Sequence, residues 1–195
     1  MHFAYDVEDM LEFVLALLNT APDASSSGED ELTTVQELRD LLAEHRFSGR
    51  SDGTAKELAE IRALRQELRQ LWVLDREPMV EAVNALLASE DLAPRLARHD
   101  GLDWHLHAAA PDAPLAVRLH LETAVALVEV IRSGETDRLR VCEAGDCDGV
   151  LLDLSRNRSK RFCGARCANR TNVAAYRRRR GSAEEPGRGG GSASA

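Results

Sequence analysis

The sequence has few aromatic residues and no apolar run long enough to cross a membrane. Phe, Trp and Tyr make up 4% of the 195 residues, although the hydrophobic share is 44%, so a core must be built mainly from Leu, Val and Ala. The most apolar stretches, FVLALL and TAVALVEVI, are too short or too interrupted to span a bilayer. The opening MHFAYDVEDM shows no basic region followed by a long apolar run, as a secretory signal would. We therefore expect a cytoplasmic protein that does not enter the membrane.

The sequence also contains none of the common catalytic motifs. A nucleophile elbow, a phosphate-binding loop, an HExxH pair and a dinucleotide-binding fingerprint are all missing, and each of these patterns carries a specific chemistry. We therefore predict that the protein is not an enzyme.

Lysine is nearly absent, and the cationic residues are unevenly placed. Lys56 and Lys160 are the only two lysines, so arginine supplies almost all the positive charge. Residues 138–180 hold 12 Lys and Arg against 4 Asp and Glu, a local net charge of +8. The rest of the chain carries a net charge of −16. An acidic region followed by a basic one is typical of proteins that bind nucleic acid or another anionic surface.

The periodicity of the apolar residues predicts a mainly helical N-terminal region. The segment 6–20 is apolar at helical spacing and ends at the SSSG run. Thr34 and Thr54 each precede a glutamate by three positions, the spacing of a capping box, and so predict two further helices. Pro78 suits the first turn of a short helix that ends near residue 87. Another helix is expected from about 114 to 131, stopped by Gly134.

One other segment of the N-terminal region and the tail complete the predicted architecture. Residues 96–107 alternate weakly around a turn, which predicts a small hairpin. The tail 181–195 is rich in Gly and Ser and is expected to be disordered. We expect a mainly α protein with an acidic helical domain over residues 1–137, a small domain over 138–180 that holds all the cysteines, and this tail.

All four cysteines fall within 26 residues near the C-terminus, spaced as C-x4-C-x15-C-x3-C. Disulfides suit small secreted domains, and short-spaced thiols in a reducing compartment more often bind a metal. Four thiolates around one tetrahedral Zn²⁺ form the usual closed structural site. An iron–sulfur cluster and redox-active thiols are the alternatives. We predict one Zn²⁺ per chain, held by Cys142, Cys147, Cys163 and Cys167.

The residues between the cysteine pairs predict a treble-clef-like ββα finger. A strand should cover GVLLDL, a polar turn 156–159, and a returning strand 161–162. A helix should follow, with the last cysteine in its first turn. So small a core needs the metal. The expected core residues are Val150, Leu152, Phe162, Val173 and Tyr176.

The run DGVLLDLSRNRSKRFCGARCANR resembles the CGNR zinc-finger family, whose defining motif lies at the last metal ligand and the start of the helix. Cys167, Ala168, Asn169 and Arg170 occupy the motif, with alanine in place of its glycine. The N-terminal helical pattern, including the LLNT of residues 17–20, resembles the ABATE-like domain that accompanies these fingers. The resemblance implies a bacterial transcription regulator whose N-terminal domain senses an unknown small molecule.

The finger carries the cations that DNA binding would need, because lysine and arginine supply contacts to phosphate. A solvated helix end is the alternative explanation of the last four arginines. Because the N-terminal region is acidic and would repel phosphate, we expect the finger to be held outward from it. The candidate nucleic-acid-binding residues are Arg156, Arg158, Lys160, Arg161, Arg166, Arg170, Arg177, Arg178, Arg179 and Arg180.

Two residues near the cysteines, Asn169 and Arg170, have two interpretations each. Asn169 could read an adenine edge, or hydrogen-bond the backbone of the cysteine turn and so orient the site. Arg170 could contact phosphate or pair with Asp153. We favour a role in orienting the site for Asn169 and Asp153.

The histidines and tryptophans are weaker candidates. His105 and His107 alternate on one strand face with His99 nearby, and we interpret the three as an exposed strand face rather than a metal site. Trp72 and Trp104 are expected in the core or in the wall of a ligand pocket.

The sequence therefore predicts a zinc-dependent regulator, associated with the nucleoid, that binds double-stranded DNA and responds to a small molecule. One small finger makes few contacts, so we expect a homodimer. A zinc-stabilised protein-interaction module and an RNA-binding protein are the alternatives.

Overall fold

Six helices and two short hairpins make up the fold in the computed structural model, which describes residues 3–89, 91–99 and 101–183. A single 3-10 turn, Thr136–Arg138, lies between the fifth helix and the third strand. In chain order the elements are α1 Tyr5–Leu18, α2 Val35–Glu44, α3 Ala55–Trp72, α4 Arg76–Leu87, β1 Arg95–Ala97, β2 His105–His107, α5 Leu115–Ser133, β3 Leu139–Val141, β4 Val150–Leu152 and α6 Ala165–Ala183.

The helix ends follow the local signals in the sequence. The Thr34 hydroxyl accepts a hydrogen bond from the backbone N–H of Glu37, and the Glu37 side chain accepts one from the backbone of Thr34, a complete capping box. At α3 the Thr54 hydroxyl likewise accepts from the backbone N–H of Glu57, but the Glu57 side chain accepts from Asp52 and Gly53 rather than from Thr54. Gly134 ends α5 with a φ of 71°, a left-handed conformation that glycine adopts without strain. The predicted helices are therefore confirmed.

The main core lies around α5, which packs against α1, α3 and α4. Leu11, Leu68, Leu119 and Leu127 are fully or almost fully buried there, in keeping with a core made of aliphatic residues. Trp72 is buried in it as predicted, whereas Trp104 is 62% exposed, so the prediction that Trp104 lies in the core is wrong. Among the described residues, no helix is both long and apolar enough to cross a membrane.

The two hairpins are both antiparallel. The predicted hairpin over residues 96–107 is confirmed, with Ala97 opposite His105. In the finger, β4 is the predicted strand, but its partner is not the segment 161–162. It pairs with β3, so that Leu139 lies opposite Leu152.

The returning strand is missing because a side chain takes its hydrogen bonds. The backbone N–H of Lys160 donates to the Asp153 carboxylate at 2.9 Å. One strand-like bond near this position runs from the N–H of Glu143 to the carbonyl of Arg161 at 2.9 Å. The chain is thus fixed beside β3 by a buried carboxylate rather than by a ladder of backbone bonds.

The base of the finger packs on the N-terminal helices, so the expectation of an outward-held finger is wrong for this part. Val150 and Leu152 are buried in the main core rather than in a small core of their own. Strand β4 lies against α1. The backbone N–H of Asp148 also donates to the carbonyl of Asp23 at 2.9 Å. One continuous core therefore extends across residue 137.

The long C-terminal helix α6 departs from its predicted packing. Cys167 in its first turn is buried, whereas Val173 and Tyr176 are 48% and 54% exposed, so the prediction that these two residues are core is wrong. Phe162 is half-buried beside the cysteines. Of the predicted disordered tail, residues 181–183 continue α6 and residues 184–195 lie outside the described part of the chain.

Candidate metal centre

The four cysteines come together from four separate backbone segments. Cys142 directly follows β3, and Cys147 lies in the tight turn before β4. Cys163 follows the polar turn that Asp153 holds, and Cys167 lies in the first turn of α6. Cys142 and Cys167 are buried and the other two are half-buried. The fold thus gathers every thiol of the chain at one point.

The sulfur atoms have the spacing of a tetrahedral site. The Sγ atoms of Cys147 and Cys163 are 3.7 Å apart, and so are those of Cys163 and Cys167. All four Sγ atoms lie within 4.8 Å of one another. Thiolates bound at about 2.3 Å to one tetrahedral zinc ion lie ~3.8 Å apart. The donor set and its spacing therefore fit a closed four-thiolate site.

Backbone amides and one arginine surround the sulfurs. The N–H of Gly149 donates to the Sγ of Cys147 at 3.3 Å, and that of Cys163 donates to the Sγ of Cys142 at 3.5 Å. Such donors favour the thiolate form of cysteine. A Cβ atom on Gly149 would lie 3.1 Å from the sulfurs of Cys147 and Cys163. Only a residue without a side chain fits this position without a shift.

Arg170 pairs with Asp146 rather than with Asp153. Its guanidinium lies 2.7 Å from the Asp146 carboxylate and donates to the Sγ of Cys167 at 3.5 Å. Arg170 therefore links the first cysteine turn to the first turn of α6 across the site.

The crowding of the thiols changes their acidity. Burial and the neighbouring thiols raise the pKa of Cys163, and burial followed by the neighbouring Cys147 raises that of Cys167. The first thiolate to form opposes the next, because like charges repel at this distance. A bound cation is what would allow all four to be thiolates together.

Asp153 holds the turn that leads to Cys163. Its side chain is completely buried and accepts hydrogen bonds from the N–H groups of Ser155 at 3.0 Å and Lys160 at 2.9 Å. Arg140 lies 3.3 Å from it. Burial alone would raise the pKa of Asp153, but the hydrogen bonds from Ser155, Lys160 and Arg140 lower it. Asp153 thus positions the backbone before the third cysteine. Asn169, for which a role in orienting the site was also predicted, is exposed on α6.

The predicted nucleic-acid-binding residues fall into two groups. Arg158, Arg161 and Arg170 form ion pairs with Glu135, Glu143 and Asp146 at 2.9, 2.6 and 2.7 Å, and Lys160 donates to the carbonyl of Leu152 at 3.2 Å. The others are exposed on the polar turn or along α6: Arg156, Arg166, Arg177, Arg178, Arg179 and Arg180. We call the six exposed arginines of the second group, five of which are on α6, the α6 basic surface.

Comparison with known families accounts for nearly the whole described chain. Residues 11–134 match the ABATE family, described as "Putative stress-induced transcription regulator". This match covers more than half of the chain. The chain belongs to the ABATE family. Residues 138–180 match the CGNR zinc finger, in agreement with the resemblance drawn from the cysteine motif. No curated protein matches the chain.

Asn19, at the end of α1 in the ABATE region, connects that region to the CGNR finger. Its side-chain amide donates to the carbonyl of Val150 at 3.0 Å, and its carbonyl oxygen accepts from the N–H of Val150 at 2.8 Å. We call this pair of bonds the Asn19 clasp. The next residue, Thr20, accepts from the buried Arg65 at 2.8 Å. The polar residues of the LLNT sequence thus have contact roles that the sequence analysis did not assign.

The ABATE region also brings three histidines together, and the interpretation of these residues as an exposed strand face is wrong. His105 is buried, and His99 and His107 are half-buried. Their Nε2 atoms lie 2.8 to 3.2 Å from one another. Burial lowers the pKa of His107 to about 4 and raises that of Glu122, 3.1 Å away, to about 7. We call these three residues the histidine cluster.

Proposed function

We propose that this ABATE protein is a zinc-dependent transcription regulator that binds double-stranded DNA through its CGNR finger. One Zn²⁺ per chain would be held by Cys142, Cys147, Cys163 and Cys167. The observation that carries the proposal is the position of the cysteine cluster at the root of α6, a helix that ends in four exposed arginines. The bound metal would fix the direction of that helix.

The charge distribution supports DNA as the partner. The finger carries a local net charge of +8 and the rest of the chain −16, so phosphate is attracted to α6 and repelled elsewhere. We assign the phosphate contacts mainly to the α6 basic surface. The paired Arg158, Arg161 and Arg170 contribute less, because each would first have to leave a carboxylate.

The contacts of α1 support a response to a small molecule. At its N-terminal end, the Tyr5 hydroxyl donates to the carbonyl of Asp103 at 2.8 Å, beside a cavity of about 210 Å³. At its C-terminal end is the Asn19 clasp. The helix has 14 residues and so spans about 20 Å. A ligand that shifted the cavity wall would act on the base of the finger through this helix. The predicted homodimer and nucleoid association stay predictions.

The test replaces Arg177, Arg178, Arg179 and Arg180 with glutamine. Zinc content should not change, since none of these residues is near the sulfurs. Affinity for duplex DNA should fall, and if two to three phosphate contacts are lost, the slope of log K against log salt should become shallower by roughly 2–3 units. The control variant removes four exposed arginines from the ABATE region: Arg39, Arg76, Arg98 and Arg132.

The outcomes separate the candidate functions. Unchanged DNA affinity in the α6 variant would mean that the arginines only cap a solvated helix end, against the proposal. A wild-type protein that binds no duplex would favour the interaction module, and a clear preference for single-stranded RNA would favour the RNA-binding alternative.

A further inference from the structure

The histidine cluster brings three imidazole nitrogens to one point. The Nε2 atom of His99 lies 2.8 Å from that of His107 and 3.2 Å from that of His105, and the last two are 3.1 Å apart. The cluster includes no cysteine and belongs to the ABATE region, far in sequence from the finger.

The first hairpin creates this arrangement. His105 and His107 are two positions apart on β2, so their side chains leave the strand on the same side. His99 lies just beyond β1, where a turn closed by the N–H of Leu102 and the carbonyl of His99 brings the chain back. Gly101, with a φ of 78°, allows that turn. The hairpin register thus brings the rings of His105 and His107 on β2 close to the ring of His99 after β1.

The hydrogen bonds of the other ring nitrogens fix where the lone pairs point. Nδ1 of His105 lies 2.8 Å from the carbonyl oxygen of Asp103. A carbonyl can only accept, so this Nδ1 carries the hydrogen and the Nε2 of a neutral ring keeps its lone pair. Nδ1 of His107 lies 3.1 Å from the Glu122 carboxyl group and donates to it when that group is ionised. With Glu122 ionised, two lone pairs face each other, an arrangement that a cation between them stabilises.

The surroundings match those of a metal ligand set. A metal-binding histidine usually donates its other ring N–H to a carboxylate or a backbone carbonyl, which fixes the ring and makes it a better ligand. His107 has a carboxyl partner, Glu122, and His105 has a backbone carbonyl partner, that of Asp103. Three nitrogens bound at about 2.0–2.1 Å to a tetrahedral ion lie roughly 3.3 Å apart, close to the observed spacing.

We propose that His99, His105 and His107 form a second metal site, a three-histidine zinc site in the ABATE region. The nitrogen donor set suits Zn²⁺ and other first-row divalent ions. Three protein ligands leave the fourth tetrahedral position open, and all three histidines line the cavity of about 210 Å³ beside α1. The ligand at that position is water or a small molecule with an anionic or basic donor atom that enters the cavity.

The DNA binding of the proposed function needs only the cysteine site, whereas the histidine site concerns the cavity through which we proposed a small-molecule response. It gives the cavity a chemical basis for selecting ligands, since a molecule without a donor atom would not bind the metal. The cavity wall includes Arg118, buried between α5 and the loop after α2, and Tyr5 at the start of α1. A ligand on the metal would lie beside both.

Metal analysis of the full-length protein tests the proposal. After zinc loading and removal of free metal, the wild type should hold two zinc ions per chain. The double variant His99→Gln, His107→Gln should hold one. So should Cys163→Ser, Cys167→Ser, if the finger also binds zinc as proposed. The control His120→Gln changes a half-buried histidine of α5 outside the cluster and should keep both ions.

Two further measurements keep the test independent of misfolding. X-ray absorption at the zinc edge of the wild type should show both sulfur neighbours at about 2.3 Å and nitrogen neighbours at about 2.0 Å. Glu122→Gln keeps the size of the carboxylate partner of His107 and should weaken binding of the second ion by about 10–100-fold.

The contrary results are equally definite. A zinc-loaded wild type with one ion per chain and only sulfur neighbours would overturn the histidine site and leave the finger intact. One ion with only nitrogen neighbours would support the histidine site and contradict the zinc finger of the proposed function. Unaltered affinity for the second ion in Glu122→Gln would overturn the role assigned to that carboxylate.

Discussion

Replacing Asn19 with alanine should weaken the attachment of the finger to the ABATE helices while leaving every metal ligand in place. The Asn19 clasp satisfies both backbone groups of Val150, with bonds of 3.0 and 2.8 Å. Val150 is 1% exposed, so water cannot replace the lost amide without entering the core. The variant therefore leaves one buried N–H and one buried C=O without a side-chain partner.

The expected cost follows from those two groups. A buried donor or acceptor left unsatisfied costs about 1–3 kcal/mol, and partial relaxation of the strand reduces the sum. We expect Asn19→Ala to lower the free energy of unfolding by about 2–4 kcal/mol, a large part of the 5–15 kcal/mol that is typical of a folded protein. In a chain of this size the melting temperature should fall by roughly 5–15 °C.

Urea unfolding of the zinc-loaded protein, followed by far-UV circular dichroism, measures this change. Asn84→Ala is the matched control, because Asn84 is exposed on α4 and its loss should change stability by less than about 0.5 kcal/mol. Zinc release to a competing chelator should also be faster in Asn19→Ala than in the control. Equal stabilities and equal release rates for the two variants would refute the view that the clasp holds finger and helices together.

Three further predictions concern single positions. Gly149→Ala should reduce zinc affinity at least tenfold in a chelator competition, because the added Cβ would lie 3.1 Å from two of the sulfurs. Gly145→Ala is the control, because a Cβ there would have nothing within 4 Å. Equal zinc affinities for the two variants would contradict the close packing at Gly149. Leu152→Ala should destabilise the whole protein by about 2–4 kcal/mol, seen as one shifted unfolding transition, and a separate early transition of the finger would contradict the shared core. Arg65 holds the pKa of Asp30 in the folded protein well below its ordinary value. The ion pair therefore stabilises the fold fully at pH values above the ordinary pKa of Asp, and this contribution is lost as the pH falls toward the pKa of Asp30 in the folded protein. Asp30→Asn should therefore be less stable than the wild type at pH 7 by about 2–4 kcal/mol, with the gap narrowing toward pH 3; a gap that does not depend on pH would contradict this ion pair.

The features that could be predicted from the sequence are those fixed by neighbouring residues. Thr34 and Glu37 are three positions apart, so their capping box depends on one helical turn alone. The cysteine spacing is similarly local: two short-spaced pairs bracket a turn, and few structures other than a metal site bring such pairs together. The early helices and the first hairpin followed from the same kind of short-range signal.

The features that could not be predicted depend on distant partners. Asn19 and Val150 are 131 positions apart, and nothing around an asparagine after a helix indicates which strand it will hold. The prediction of a returning strand at 161–162 was wrong because the buried carboxylate of Asp153 accepts the backbone N–H of Lys160 in place of a strand partner. Val173 and Tyr176 have the helical spacing of core residues, but both are about half exposed on α6.

The histidine cluster lies between these two cases. The H-x-H pattern of residues 105–107 places two rings on one side of a strand, which the sequence does show. The position of His99 depends on the hairpin register and on the turn at Gly101, and the partner Glu122 comes from α5. The sequence signal for the cluster is a third histidine across the hairpin turn from an H-x-H pair, followed by an acidic residue on the next apolar helix.

The Asn19 clasp also bears on how such proteins can evolve by recombination. Its bonds go to the backbone of β4, so they place no demand on which side chain occupies position 150 beyond the need for an apolar residue in the core. A different finger could therefore be joined to the same helices at residues 135–137, provided that it presents a strand with the same register and two apolar residues facing inward. The selective constraint would fall on one asparagine, and lineages could exchange fingers while keeping an unchanged ABATE region.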